Sequence, residues 1–212
     1  MVFGGSPVDT SPLEEVCDAV LLAWYPGEEG GRAVAGVVFG RVNPAGRLPV
    51  TFPSSYDDLP PFDSYAVEGR TYRYAKKAPL HPFGYGLSYT AFSYSDAAWN
   101  GRCASVRVTN TGRCDGDEVV QLYLRSPDGC GDRRRHRLAG FRRVFLRAGE
   151  SRAVEFPLRR GDFVAFRADG SEFVPEGRHV AFMGGGQPGA ADVCSVGIDA
   201  CRDLRADQRR DQ

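Results

Sequence analysis

Residues 19–40 read AVLLAWYPGEEGGRAVAGVVFG, and this stretch decides the fold predicted for the first part of the chain. It opens with a short apolar run of the length expected for a buried strand. A Pro-Gly turn and two acidic residues follow, and after them small and apolar residues recur at helical spacing. Gly40 stands where a C-terminal cap would end the helix. The stretch therefore predicts a strand over about 19–24, a tight turn, and a helix over about 29–39.

A second helix is predicted just upstream of this stretch. Ser11 and Glu14 are spaced as in a capping box, and Pro12 suits the first helical position. A short helix over 12–17 would follow, so the first 53 residues supply about two strands and two helices. A parallel sheet normally has more strands and is covered by helices on both faces. Residues 1–53 are therefore predicted to be a partial α/β segment that leaves apolar surface open.

The remaining sequence divides into three parts. Residues 54–90 are rich in Pro, Tyr, Gly and Asp without periodicity, which predicts a long irregular connector packed on another part of the protein. Over 91–200, short alternating apolar segments separated by turn residues are typical of a β-sandwich. Residues 201–212 are highly charged and predict a flexible tail. The predicted fold class is mainly β, a sandwich preceded by the partial α/β segment and the connector.

Composition excludes some classes of partner. Lys plus Arg and Asp plus Glu both number 27, so no overall charge favours nucleic acid or an anionic membrane. The basic run at 133–137 lacks neighbouring aromatic platforms and predicts a solvated loop. No apolar run approaches the ~20 residues that span a bilayer. We therefore expect neither a nucleic-acid partner nor a membrane partner.

The six cysteines allow two interpretations. An even count permits three disulfides, whereas buried or loop thiols are the simpler reading. No pair of cysteines has the two-residue spacing typical of a zinc knuckle. We expect free thiols in preference to disulfides, no metal site and no cofactor. Cys17 is expected to face a core.

Six short sequence words occur in an order that resembles one family. They are WYPGEEGG (24–31), FGRVNPAGRLPVTFP (39–53), GRTYRY (69–74), HPFGYGLSYTAF (81–92), VTNTG (108–112) and DGDEVVQLYL (115–124). Together they resemble the C-terminal part of the family 3 glycoside hydrolases, which include β-glucosidases and β-xylosidases. The resemblance covers roughly residues 1–185. It implies that 91–200 form a fibronectin type III-like sandwich and that 1–53 end the family's C-terminal α/β sandwich domain.

The same resemblance implies a function in carbohydrate metabolism. The chain is expected to be the C-terminal portion of a retaining β-glycosidase, an O-glycosyl hydrolase that acts on β-linked xylosides or glucosides. The alternative is a non-catalytic module that binds carbohydrate or other domains. Expected partners are the barrel-bearing part of a glycosidase or another copy of the chain, together with a β-linked oligosaccharide.

No catalytic residue is assigned in this sequence. Retaining hydrolysis needs two carboxyl groups about 5–5.5 Å apart, one as nucleophile and one as general acid/base. In the resembled family the nucleophile lies on an N-terminal barrel, in a Ser-Asp-Trp-like word that is missing here. The acid/base of many members lies upstream of the segment that residues 1–10 match. We therefore expect the chain alone to be inactive.

Three sets of acidic residues have structural interpretations instead. Glu28 and Glu29 are expected to be acids at the N-terminus of a helix. Asp57 and Asp58 are expected to form a turn. The flanks of a β-turn are expected at Asp115, Asp117 and Glu118.

The word GRTYRY supplies the candidate residues for the rim of a substrate pocket, namely Arg70, Tyr72 and Arg73. In the resembled enzymes this segment joins two domains and runs near the active-site rim. A tyrosine ring can stack on a sugar face, and an arginine can hydrogen-bond to hydroxyl groups. The alternative role is packing between domains. The same two roles are open for 81–89, whose glycines allow tight bends and whose rings can fill the join between domains.

Overall fold

The computed structural model describes residues 1–204, and the fold begins with a small parallel sheet. Strands β1 (Val2–Phe3) and β2 (Leu22–Trp24) pair in parallel. Helix α1 (Ser11–Glu14) lies between them in the chain, and helix α2 (Gly30–Val38) follows β2. The strand, turn and helix predicted around the Pro-Gly turn are confirmed, although the strand is shorter than predicted.

Helix α2 ends in the way the sequence indicated. Gly40 has a φ of 68°, in the left-handed region that glycine adopts without strain. Its N–H donates to the carbonyl of Val37 at 2.9 Å, and the N–H of Arg41 donates to the carbonyl of Gly36 at 2.8 Å. These two bonds form a Schellman motif, which satisfies carbonyls that the end of a helix leaves open.

Helix α1 begins differently from the prediction. Its N-cap is Thr10, and no side chain caps the backbone there. The Thr10 hydroxyl instead donates to Glu14 Oε1 at 2.6 Å, and His81 Nε2 lies 2.8 Å from the same oxygen. The predicted capping box is therefore wrong, because a histidine 67 positions further along holds the glutamate. Pro12 does lie in the first turn, but the helix ends at Glu14 and does not reach residue 17.

The connector folds back on the partial α/β segment. It contains a 3-10 turn (Tyr56–Asp58) and helix α3 (Thr71–Tyr74). His81 forms an isolated antiparallel bridge with Phe52, with the Phe52 N–H donating to the His81 carbonyl at 2.9 Å. The Phe52 side chain is buried beneath this bridge. The connector is thus tied to the end of the α/β segment.

Up to residue 204, nine further strands follow, and their pairings are antiparallel. Their bounds are β3 (Phe92–Trp99), β4 (Cys103–Asn110), β5 (Gly116–Arg125), β6 (Arg137–Leu146), β7 (Ser151–Pro157), β8 (Ala165–Phe166), β9 (Glu172–Phe173), β10 (His179–Gly184) and β11 (Val193–Ile198). One sheet has the order β11-β10-β5-β6 and the other the order β3-β4-β7, while β8 and β9 form a hairpin. A 3-10 turn (Arg160–Phe163) precedes β8. The predicted fold class, mainly β with a sandwich, is confirmed.

The core of the sandwich comes from alternating residues, as the sequence predicted. Val120, Leu122 and Leu124 of β5 are at most 4% exposed and belong to the same core as Val154 and Phe156 of β7. Alternate side chains of a strand point to opposite faces, so every second residue of β5 reaches the space between the sheets. The apolar pattern therefore sets which face of each sheet is buried.

The partial α/β segment keeps apolar surface open. Phe3, Val38 and Phe39 are 54%, 62% and 76% exposed, whereas the buried core cluster lies wholly within residues 104–204. Large apolar side chains left in water on one segment are a feature of interfaces and of aggregation-prone surfaces. The structure thus agrees with the prediction that this segment lacks part of its packing.

Residues 201–204 differ from the predicted flexible tail. Helix α4 (Ala200–Asp203) starts after Asp199, whose side chain accepts from the N–H of Arg202. Leu204 is buried in the sandwich core, and the indole N–H of Trp99 donates to Asp203 Oδ2 at 2.8 Å. The remainder of that predicted tail, 205–212, lies outside the described residues. Within residues 1–204, the helices are too short or too polar to cross a bilayer.

The six cysteines are free thiols in the structure. Cys194 donates weakly to the carbonyl of Tyr94 at 3.0 Å, and burial raises the pKa of its thiol. Cys17 is exposed, so the expectation that it faces a core is wrong. The reason is that α1 ends at Glu14, which leaves Cys17 beyond the helix in the segment that leads to β2.

The burial of two histidines predicts how the stability of the chain depends on pH. His179 is 1% exposed against the ring of Phe163, and His136 is 7% exposed with its Nε2 2.9 Å from Gln187 Oε1. Burial lowers the pKa of both imidazoles from the ordinary 6.5. Near and below pH 6.5 these two imidazoles therefore hold more protons in the unfolded chain than in the folded chain, so their contribution to the free energy of unfolding decreases as pH falls from about 7 to about 5.

A variant isolates the histidine contribution. Glu118 contributes to the pH dependence of stability with the opposite sign, because burial raises the pKa of its carboxyl group. The test compares urea unfolding of the unmodified chain and of His179→Gln at several pH values. As pH falls below 6.5, the free energy of unfolding should decrease less for the variant than for the unmodified chain. Parallel stability profiles would contradict the prediction.

Candidate functional site

The three predicted rim residues lie at the start of α3, but they face different surroundings. Arg70 directs its guanidinium into the preceding loop, where it donates to the carbonyls of Pro61, Ser64 and Ala66 at 2.6–3.1 Å. Its side chain is thus used inside the connector. Arg73 is exposed, and its backbone carbonyl accepts from the N–H of Arg135 at 2.9 Å.

Tyr72 packs the connector against the sandwich. Its ring stacks on Phe83 with a centroid distance of 4.4 Å and meets the edge of Tyr123 at 6.0 Å. Its hydroxyl accepts from the N–H of Leu138 on β6 at 3.0 Å. These contacts correspond to the packing role left open by the sequence. Its role at a pocket rim stays a prediction, as do those of Arg70 and Arg73.

A cleft of about 610 Å³ lies where the end of the α/β segment meets the connector. Its volume falls within the ~300–1,000 Å³ range common for small-molecule sites. Apolar and aromatic side chains dominate its lining, with hydroxyl and charged groups among them. The lining residues are Pro49, Val50, Thr51, Pro53, Ser54, Asp58, Leu59, Glu68, Gly69, Thr71, Tyr72, Ala75, Lys76, Lys77, Ala78, Pro79 and Phe83.

Ion pairs link the charged groups of the cleft. Asp58 pairs with Lys77, and Glu68 pairs with Arg133 of the loop between β5 and β6. The Arg133 and Glu68 side chains are more than half exposed, so water screens their attraction. These groups can hydrogen-bond to a polar ligand at the mouth of the cleft. The cleft therefore combines a mainly apolar lining with charged groups that can donate or accept hydrogen bonds.

The sequence interpretation missed a buried ion pair between the α/β segment and the sandwich. Arg47 Nη2 donates to Glu118 Oε2 at 2.7 Å, and the two side chains are 9% and 2% exposed. Burial raises the pKa of Glu118, while the charge of Arg47 opposes that rise. Glu118 lies in β5, two residues after the strand begins beside the predicted turn, and its side chain is buried. Its alternation with Val120 and Leu122 was the available signal, since it places all three on the inward face.

The segment 81–89 packs the connector onto the sandwich. Gly84 has a φ of 81°, and a side chain there would collide with Gln121. The carbonyl of Gly84 accepts from Gln121 Nε2 at 3.0 Å, and Tyr123 donates to Gln121 Oε1 at 2.7 Å. The ring of Tyr85 stacks on His81 at 5.1 Å. The glycine and the rings therefore serve the domain join that the sequence indicated as one alternative.

The remaining acidic candidates have structural contacts. Glu28 and Glu29 are exposed at the start of α2, and Glu29 lies 3.8 Å from Arg32. The backbone N–H of Asp57 donates to the hydroxyl of Ser55, two residues earlier, at 3.1 Å. This bond caps the 3-10 turn.

Two acidic residues beside the β4–β5 turn hold neighbouring strands. Asp115 accepts from the N–H of Ala148 at 2.9 Å, and Asp117 pairs with Arg143 across β5 and β6 at 2.9 Å. Across residues 1–204, no three His, Cys, Asp or Glu side chains converge as a metal-ligand set.

Comparison with known proteins gives two family matches in chain order. Residues 1–89 match the glycosyl hydrolase family 3 C-terminal domain, and residues 118–187 match a fibronectin type III-like domain. The first match includes the cleft, and the second begins at Glu118 of the buried ion pair. The connector therefore belongs to the first matched region, and residues 90–117, which include β3 and β4, lie between the two matches.

Curated relatives and solved structures agree with these matches. The chain is 45% identical to a xylan 1,4-β-xylosidase of Xylanibacter ruminicola over 74% of its length, and 38% identical to a periplasmic β-glucosidase of Salmonella typhimurium, also over 74%. It covers only 19% and 23% of those two proteins. Among structures, a β-glucosidase from Kluyveromyces marxianus matches 93% of the chain with a TM-score of 0.81 at 31% identity, and the chain covers 26% of it.

A β-glucosidase from Erythrobacter marinus likewise matches 93% of the chain with a TM-score of 0.77 at 37% identity, and the chain covers 27% of it. The likeness thus extends through the α/β segment, the connector and the sandwich together. This chain belongs to the family 3 glycoside hydrolases, and it carries their C-terminal domain followed by the fibronectin type III-like domain.

Proposed function

We propose that this chain is the C-terminal portion of a retaining β-glycosidase acting on β-linked xylosides or glucosides. The nucleophile and the acid/base would come from a barrel-bearing part outside these residues. The names of the relatives, a β-xylosidase and β-glucosidases, support this substrate class. The chain spans about a fifth to a quarter of their length, which leaves room for a catalytic domain elsewhere in such an enzyme.

The open apolar surface of the α/β segment carries the proposal. Phe3 and Phe39 are 54% and 76% exposed, and the parallel sheet has only β1 and β2 among the described residues. Isolated two-stranded pairings are marginally stable in water, so further strands or a partner surface would stabilise this sheet. We assign this surface to the barrel-bearing part of the glycosidase or, failing that, to another copy of the chain.

The proposed organisation follows the predicted boundaries. Residues 1–53 would complete the α/β sandwich domain of the enzyme, residues 54–90 would connect it, and residues 91–200 would form the fibronectin type III-like domain. Arg73 would contact sugar hydroxyls at the pocket rim because it is exposed. Arg70 and Tyr72 would contribute to the rim by holding the connector in place.

Complementation tests the proposal. The partner is the Xylanibacter ruminicola xylosidase truncated before the segment that matches this chain. Neither protein alone should release nitrophenol from nitrophenyl β-xyloside, and a mixture should do so in proportion to the complex formed. The expected gain is large because catalytic groups and the domain that completes their pocket come together only in the complex.

A variant of the surface provides the matched control. Phe39→Asp places a charge on the exposed end of α2 and should prevent complementation, whereas Phe166→Asp, at 59% exposure on the β8–β9 hairpin, should not. Hydrolysis by the isolated chain, or no hydrolysis at any mixing ratio with the xyloside or the corresponding glucoside, would refute the proposal.

A further inference from the structure

We propose that the loop 61–70 and the cleft at its base bind a β-linked xylo- or gluco-oligosaccharide, with the rings of Phe62 and Tyr65 as the stacking platform. The choice of sugar rests on the proposed function, but the site itself rests on the exposure and order of this loop. Phe62 and Tyr65 are 103% and 99% exposed, which is more than any other large apolar side chain described in residues 1–204.

The loop is ordered by its own arginine. Arg70 Nε donates to the carbonyl of Ala66 at 3.1 Å, and Arg70 Nη2 donates to the carbonyls of Pro61 at 3.0 Å and Ser64 at 2.6 Å. A charged donor makes stronger hydrogen bonds than a neutral one. Three such bonds hold the backbone on both sides of the two rings. Ligand binding therefore needs little further ordering of the loop, which lowers its entropic cost.

The loop stands at the edge of the cleft. Leu59 precedes it and lines the cleft, and Glu68 and Gly69 within its last residues line the same cleft. The Pro60 ring lies close to Gly69 and closes the base of the loop. Both ends of the loop therefore meet the cleft, while Phe62 and Tyr65 extend from its exposed part.

The chemistry of this region fits a β-linked sugar. A pyranose with equatorial hydroxyls has two apolar C–H faces, which pack on aromatic rings, and a rim of hydroxyls that need polar partners. Asp58 and Glu68 can accept hydrogen bonds from those hydroxyls, and Lys77 can donate. The cleft of about 610 Å³ has room for a small oligosaccharide.

A protein partner fits this loop less well. Asp63 and Ser64 separate the two exposed rings, and Glu68 follows the exposed Val67, so polar and charged groups interrupt the apolar side chains of the loop. The centre of a protein interface is depleted in charged residues and forms a continuous apolar surface. An aromatic ring flanked by hydrogen-bonding groups is instead the arrangement of a site for a small polar ligand.

NMR titration of the 212-residue chain tests the proposal directly. Xylotetraose or cellotetraose should shift amide resonances of the loop 61–70 and of the cleft, and α-linked maltotetraose should not. Phe62→Ala and Tyr65→Ala should each weaken binding by about tenfold. Tyr65→Phe should retain most of the affinity because it keeps the ring. Arg70→Ala should weaken binding although both rings remain.

Tyr25→Ala is the matched control, because Tyr25 is 79% exposed and belongs to the turn before α2. It should leave the affinity unchanged. No shift with either β-linked tetrasaccharide at about 10 mM, or shifts that survive both ring deletions, would overturn the proposal. Loss of complementation without any sugar binding by the chain would instead assign the loop to protein docking and overturn it as well. Complementation itself can fail while the chain binds sugar, so the two proposals fail separately.

Discussion

Replacing Arg47 with alanine is expected to lower the free energy of unfolding of the sandwich by about 3–5 kcal/mol. The guanidinium lies 2.7 Å from Glu118 Oε2, and the two side chains are 9% and 2% exposed. Without Arg47 the carboxylate stays buried with no cation beside it, and burial already raises its pKa. The variant must therefore either hold an uncompensated charge in the interior or take up a proton. Urea unfolding at neutral pH, followed by circular dichroism, measures the loss.

A second substitution separates the ion pair from the general packing of this seam. In Arg47→Met combined with Glu118→Leu, no buried charge remains, so most of the stability should return. Arg41→Ala is the matched control, because Arg41 is exposed just after α2. It should change stability by less than about 0.5 kcal/mol. An Arg47→Ala variant as stable as this control would show that the ion pair contributes nothing to the join.

Leu122→Ala is expected to destabilise the chain by about 2–5 kcal/mol. Leu122 is fully buried at the centre of β5, between β10 and β6, and its neighbours cannot fill the space that the missing carbons leave. The same measurement by urea unfolding applies. Because stabilities of single domains are about 5–15 kcal/mol, a loss at the upper end of this range would leave much of the sandwich unfolded.

A substitution on helix α2 serves as the control for Leu122→Ala. Val38→Ala also removes an apolar side chain, but Val38 is 62% exposed, so the isolated chain should lose less than about 0.5 kcal/mol. In the complex with a barrel-bearing partner the same change should weaken assembly. Equal losses for Leu122→Ala and Val38→Ala in the isolated chain would mean that the α/β segment has a closed core of its own.

Local sequence patterns predicted much of the fold. The alternation in β5 and β7 predicted inward-facing residues that the structure buries, and Gly40 marked the end of α2. The order of the six sequence words identified the family. These features depend on residues close together in the chain, where side-chain period and backbone preference act directly.

The candidate site could be predicted only in part. The word GRTYRY led to the right segment, but it did not indicate that Arg70 turns inward to three carbonyls or that Tyr72 packs against Phe83 and Tyr123. The alternation with Val120 could have marked Glu118 as inward-facing, but not Arg47 as its partner. Those contacts join residues far apart in the chain, which periodicity does not report.

The family could be recognised from the order of the six sequence words, and the strands of the sandwich and the incomplete α/β segment from side-chain period and local backbone preference. Which polar groups are buried together, and which aromatic rings face water, depends on how distant segments pack in the folded chain. The pairing of Arg47 with Glu118 and the exposure of Phe62 and Tyr65 depend on how the connector folds between two regions. Burial is a property of the folded chain. It sets the electrostatic free energy of a charged group and determines whether an aromatic ring can contact a ligand.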